Sequence, residues 1–207
     1  MLYMDLLVLF FGMLAYKTLD KRTLLLFIHV IIGIIVVIVS RYTATLGNNL
    51  YISYLYAPYE AIMFSAILYP NLKHKKARLI VKTVIGLILV TNLLEGFLIQ
   101  DGFSKYNSYT YVLINLLTGT LAIRYLLELR FDKHIENLAR TPMFWVATSL
   151  AIKNFGVLIV WAFLRVAQEN SMDLLWQLTF IRETVTYLTL TLWIAAFWVS
   201  RKGHYSA

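Results

Sequence analysis

The chain has 207 residues, 60% of them hydrophobic and only 14% charged, with a net charge of +8 and no cysteine. A soluble domain usually carries about a quarter charged residues, so there is too little polar surface here to cover a water-soluble core. Disulfides and thiolate chemistry are excluded, and the placement of the basic residues argues for membrane topology rather than nucleic-acid binding.

Seven apolar segments follow one another, at about 2–17, 23–40, 50–69, 78–99, 108–129, 142–167 and 174–199. Most reach the ~20 residues that a helix needs to cross about 30 Å of hydrocarbon. The first is short. It lacks a basic leading region and an A-x-A-like site, so it reads as a helix rather than a signal peptide. The expected fold is all-α: one polytopic domain over 1–207 with seven transmembrane helices.

The basic residues alternate between connections. Lys17, Lys21 and Arg22 join the first two segments, and Lys73, Lys75, Lys76, Arg78 and Lys82 lie around the junction of the third and fourth. Arg130, Lys133 and Arg140 separate the fifth and sixth, and Arg201 and Lys202 follow the seventh. The opposite connections, about 41–49, 100–107 and 168–173, hold only Arg41 and Lys105. This bias places the N-terminus outside and the C-terminus in the cytoplasm. In a bacterium the compartment would be the inner membrane. The outer connections carry the turn formers Gly47-Asn48-Asn49 and Asp101-Gly102. Trp161 and Trp176 flank the outer side, and Trp145 and Trp198 the inner, as an aromatic belt requires.

Polar groups at membrane depth are the candidate functional residues. Glu60 sits about ten residues into the third segment, roughly 15 Å at 1.5 Å per residue, near the bilayer centre. A carboxylate there costs at least ~2.5 kcal/mol on insertion scales, so it should face the bundle interior and find a cation. Lys153 in the sixth segment has a matching depth. Tyr56, Tyr59, Glu60, Glu95, Lys153, Asn154, Gln177, Arg182 and Glu183 together suggest a polar cavity open to the outside. Tyr56 and Glu60 are four apart and share a helix face, and Pro58 removes a backbone donor beside them. The competing reading makes Glu60–Lys153 and Arg182–Glu95 struts that fasten helices together. His29 reads as a hydrogen-bonded core histidine, the Arg124/Glu128 spacing as an interfacial pair, and Arg165 as a surface residue.

Several chemistries lack their residues. The seventh segment has no lysine for a retinal Schiff base, and neither G-x-S-x-G nor H-E-x-x-H occurs. His74, His134 and His204 lie in or beside basic cytoplasmic stretches without metal-ligand spacing, so no metal and no cofactor is expected. Glu60 with Glu95 or Glu183 is the one carboxylate pairing that would suit an intramembrane hydrolase. Transport remains an alternative, although the paired broken helices that transporters use are not evident. The favoured expectation is a receptor-like module. A small polar or amphipathic ligand would bind outside, and a cytoplasmic face at Lys73, Lys75, Lys76 and Arg78 would meet anionic lipid or a signalling protein.

Three stretches carry a resemblance: GNNLYISYLYAPYEAIMF (47–64), TPMFWVATSLAI (141–152) and LLWQLTFIRETVTYLTLTLW (174–193). They resemble small seven-helix inner-membrane proteins of the Bacteroidota type, some thought to be encoded near sensor kinases. The family pattern has a paired Asn, an aromatic residue and a helix-borne Glu, matched by Asn48-Asn49, Tyr56 or Tyr59, and Glu60. Its Pro-x-Phe-Trp element is matched by Pro142, Phe144 and Trp145. The first helix is shorter here than in that pattern. The resemblance implies the same topology, a bacterial origin and a role in sensing, and it brings no catalytic residue.

Overall fold

A computed structural model describes residues 2–68, 75–99, 105–131 and 137–202, and among these residues there is helix and connection but no strand. Lys73, His74, Asp101-Gly102, Lys133, His134 and His204 lie outside the described residues, as does the side chain of Arg165. The helices are α1 (Leu2–Ala15), α2 (Lys21–Thr45), α3 (Leu50–Leu68), α4 (Lys75–Leu94), α5 (Ser108–Arg130), α6 (Pro142–Asn170) and α7 (Met172–Lys202). Each coincides with one of the apolar segments, with the largest extension at the C-terminal end of α2.

Local chemistry explains where they start. The Asp20 carboxylate accepts from the Thr23 N–H at 2.8 Å and caps α2. Pro142 occupies the first turn of α6, where a missing N–H costs nothing. Trp145 then donates its indole N–H to the Ala139 carbonyl at 2.9 Å and ties that helix to the turn before it.

Among the described residues, four helical stretches are long and apolar enough to cross a bilayer: Lys21–Thr45, Lys75–Ile99, Ser108–Arg130 and Pro142–Leu164. Helix α1 has only 14 residues. Helices α3 and α7 are diluted by tyrosines, threonines and charged residues such as Glu60, Arg182 and Glu183. Large apolar side chains cover the outside, among them Leu98, Phe180, Ile159 and Ile38. Water does not tolerate such a coat, and lipid does. This is a membrane protein.

Helix α6 makes the most extensive contacts, with α5 on one side and α7 on the other. Helix α3 joins α2 to α5, α4 lies against α3 and α5, and α1 packs against both α2 and α7. At the α5–α6 seam a Cβ on Gly119 would stand 2.8 Å from the Phe155 ring, so a larger residue there would displace that ring. Phe64, Phe197, Leu26, Ile114 and Leu150 are fully buried at the centre.

Pro58 leaves a signature in the packing. Its missing N–H would have bonded the Tyr54 carbonyl four residues back. The Asn92 side-chain amide of α4 donates to that carbonyl instead, at 2.8 Å. The orphaned acceptor therefore becomes a weld between α3 and α4.

Candidate functional site

Two buried polar clusters occupy different parts of the bundle. The first lies where α2, α3, α6 and α7 converge. The Lys153 ammonium pairs with the Glu60 carboxylate, in keeping with their matching depths along the chain. The same ammonium stands 4.7 Å above the Phe64 ring, which adds a cation–π contact. The Glu60 side chain is 8% exposed and that of Lys153 22%, so the pair is largely withdrawn from solvent yet open on the lysine side.

Beside the pair is a cavity of roughly 200 Å³, lined by α2 (His29, Val30, Gly33, Val36 and Val37), α3 (Tyr56 and Glu60), α6 (Lys153) and α7 (Thr186, Thr189, Leu190 and Trp193), with Asp5 of α1 at its edge. His29 is wrapped by aromatic rings. It stacks on Tyr59 at 5.8 Å and Tyr56 at 6.1 Å, and meets Phe64 at 4.6 Å and the edge of Trp193 at 5.8 Å. Its Nε2 is 3.5 Å from the Tyr56 hydroxyl, at the outer limit of a hydrogen bond. His29 Nδ1, the Tyr59 hydroxyl and Asp5 Oδ2 are buried without a hydrogen-bond partner among the described residues. Such atoms are costly, and a native structure normally satisfies them with water or ligand.

The remaining wall is quieter. Thr186 and Thr189 donate their hydroxyls back to the Arg182 and Val185 carbonyls at 2.8 Å, leaving their oxygens able to accept. The Trp193 indole N–H is occupied by the Ser149 hydroxyl at 2.7 Å, which presents the ring but not its donor to the cavity.

The second cluster lies between α3, α4 and the start of α5. Glu95 is fully buried at the head of a π-helical turn, Glu95–Ile99, that continues α4. Its carboxylate accepts from the backbone N–H of Tyr109 at 3.0 Å and of Thr110 at 2.8 Å, and from the Thr110 hydroxyl at 2.6 Å. An anion at a helix N-terminus takes up unpaired donors and meets the positive end of the dipole. Glu95 thus caps α5. Nearby, Asn107 donates to the Asn92 side-chain oxygen at 2.9 Å, and its own oxygen accepts from Ser53 at 3.0 Å.

The sequence-derived candidates therefore separate. Tyr56, Glu60 and Lys153 line the cavity, and Tyr59 supports it by stacking on His29. Glu95 does not reach it, because its oxygens are committed to α5; the suggested Arg182–Glu95 strut is replaced by that cap. Asn154 is buried, donates to the Leu150 carbonyl of its own helix at 2.6 Å and is not among the lining residues. Gln177 and Glu183 are exposed on α7 and do not line the cavity. Arg182 is half-buried one turn before Thr186 and lies within electrostatic reach of Tyr111. Neither Glu95 nor Glu183 is among the residues that line the cavity beside Glu60.

Asp5, Gly33, Thr186, Thr189 and Trp193 are cavity residues that sequence reasoning misses. The threonines and tryptophan recur at three- and four-residue steps along α7, a periodicity that marks one helix face. Asp5 has a plainer signal, as an acid inside the first apolar run. Away from both clusters, Lys75, Lys76 and Arg78 stand exposed at the start of α4. Arg124 pairs with Glu128 at 3.1 Å, as their spacing suggests. Comparison of the chain with protein-family models, curated proteins and solved structures returns no match, so the resemblance to the Bacteroidota-type proteins rests on the quoted stretches alone.

Proposed function

We propose that this chain is a seven-span, receptor-like inner-membrane module of bacterial type, with the N-terminus outside and a ligand-binding cavity beside Glu60 and Lys153. The alternation of basic connections supports the orientation. Residue count alone is compatible with α3 and α7 crossing, because their 19 and 31 residues make ~28 and ~46 Å of helix. Their polar side chains are tolerable at depth if they face the bundle or the cavity.

The observation that carries the reading is the contrast in hydrogen bonding. A strut offsets its desolvation through satisfied partners, whereas His29 and Asp5 bring unpartnered buried atoms to this cavity, next to an ion pair open on one side; Ser65, Asn115 and Thr118 carry such atoms outside its lining. Ligand binding would complete those bonds and change how α3 and α6 are held together. Helix α3 runs from the cavity toward the basic start of α4, the surface proposed to meet lipid headgroups or a signalling protein.

Thermal unfolding of the nanodisc-embedded protein against small polar and amphipathic compounds tests this. A compound that raises the wild-type midpoint, fails with Glu60→Gln, and alters hydrogen exchange at the start of α4 would support it. Substrate-dependent flux in proteoliposomes through the same residues would replace sensing by transport. No response to any compound would leave Glu60–Lys153 as a strut.

A further inference from the structure

The cavity is bounded on one side by two helices that do not pack closely on one another. Helix α1 stands between α2 and α7, with Gly12 against Phe27 and Phe197, and Phe11 against Trp198. The cavity walls contributed by the two helices, Gly33, Val36 and Val37 on α2 and Thr186, Thr189 and Leu190 on α7, lie near mid-helix rather than at an end. Beside them are exposed apolar side chains: Ile35 (53%) and Ile38 (54%) on α2, and Leu188 (46%) on α7. Asp5, Gly33, Val36, Val37 and Thr186 of the lining are themselves only partly buried, so beside the first turn of α1 the cavity reaches the side of the bundle, at a depth that meets hydrocarbon. Water would be met at the helix ends.

The lining also restricts what binds. Glu60 and Lys153 neutralise each other. With Asp5 in the lining as well, an anion would face two carboxylates and a cation would compete with Lys153 for Glu60, so a charge of either sign upsets the pairing, which is costly. A hydroxyl or amide can donate to Glu60 and accept from Lys153 without disturbing that balance. A primary amide has a second N–H left over, which can serve one of the two orphan atoms of cavity-lining residues, His29 Nδ1 or Asp5 Oδ2. Val30, Val36, Val37 and Leu190 offer an apolar wall, and Tyr56 and Trp193 aromatic faces. An apolar cavity of about 150 Å³ is known to hold benzene, so this space suits a body of roughly ten non-hydrogen atoms.

We propose, on the reading of this cavity as a binding site, that it opens sideways to the bilayer between α2 and α7 and takes an uncharged amphiphile with an alcohol or amide head. The ligand partitions into the membrane first. Its head then inserts between Glu60 and Lys153, and its apolar body lies against α2.

The absence of native cysteine makes the test direct. Thr186→Cys places a thiol in the wall, and Gly33→Cys provides a second site, since a Cβ there stands an ordinary 3.7 Å from the Tyr56 hydroxyl. Each variant in nanodiscs is treated with bilayer-soluble N-cyclohexylmaleimide or with a membrane-impermeant quaternary ammonium methanethiosulfonate. Ile159→Cys, on the exposed apolar surface, serves as the lipid-facing control. Labelling of the cavity thiols by the maleimide but not by the impermeant reagent is expected; the reverse overturns lateral access while leaving a binding cavity.

Protection is then measured with 1-octanol, octanoate and octylammonium, which share a body and differ in the head. Octanol should slow labelling about tenfold when present at about ten times its Kd, with little protection by the two ions and none at Ile159→Cys. Protection by an ion instead overturns the uncharged class. Protection by none of the three sinks the binding reading as well. Adding Glu60→Gln, which leaves Lys153 without its counter-charge, should transfer protection from octanol to octanoate; a purely steric cavity would show no such exchange.

Discussion

The two polar clusters use the same residue types to opposite ends. Around Glu95, Asn92 and Asn107, the carboxylate and both amides are bonded, and each bond joins one helix to another or to a helix end. Ser108 Oγ is the one atom of that group left without a partner among the described residues. Around Glu60 and Lys153, one strong pair sits beside three orphaned atoms and open space. A saturated network fixes geometry because any movement breaks several bonds together. An unsaturated one next to a cavity has unmet bonding capacity, and a guest can supply the missing partners.

That contrast can be broken most forcefully at Lys153. Removing one member of a buried pair leaves an uncompensated charge, so Lys153→Met should cost about 3–5 kcal/mol. The double variant Glu60→Gln/Lys153→Met should recover most of that loss. Equilibrium unfolding in bicelles measures both, and additive losses would mean that the pair is not the energetic unit.

In the saturated cluster, Glu95→Gln removes charge-assisted bonds to the first turn of α5 and should destabilise by about 1.5–3 kcal/mol. Hydrogen exchange should quicken at Tyr109 and Thr110 and stay unchanged at Lys153. Equal quickening at both places would merge the two clusters into one.

Asn92→Leu removes the donor to the Tyr54 carbonyl and the acceptor for Asn107, at about 1–3 kcal/mol. Pro58→Ala restores the N–H that would satisfy that carbonyl, so the same change should be milder in a Pro58→Ala background. A double-mutant cycle without coupling would show that Asn92 does not compensate for the proline.

The smallest effect is expected at His29. Its ring is packed on aromatic neighbours, but Nδ1 has no partner among the described residues, so His29→Phe keeps shape and removes an unmet polar atom. Stability should change by less than about 1 kcal/mol, because Nδ1 is unmet and the only bond lost is the long 3.5 Å contact of Nε2 with the Tyr56 hydroxyl. Ligand-induced thermal shifts should nevertheless fall. A large loss of stability would show that the imidazole is bonded and structural.

The partnership of Glu60 with Lys153 is legible in the sequence, because a charge at mid-membrane needs a counter-charge at the same depth and few are available. Pro58 is legible as a defect, though its remedy is not: Asn92 lies far along the chain in an apolar helix, and nothing local ties it to the Tyr54 carbonyl. Glu95 escapes sequence reasoning for a related reason. Counting along the chain puts it near the end of its segment, but which neighbour it faces depends on the π-helical turn and on the backbone N–H groups of α5. Backbone donors have no signature in side-chain identity.

By itself, the sequence determined an all-helical fold and a membrane setting, because hydrophobic run length and charge content are properties of consecutive residues. It also determined that Glu60 would be turned inward. The tertiary structure decided which polar groups are saturated and which face empty space. That decision depends on helix rotation and on distances between residues far apart in the chain, such as Asp5, His29 and Thr189. Burial removes water as the default partner, so satisfaction at those positions becomes a matter of geometry.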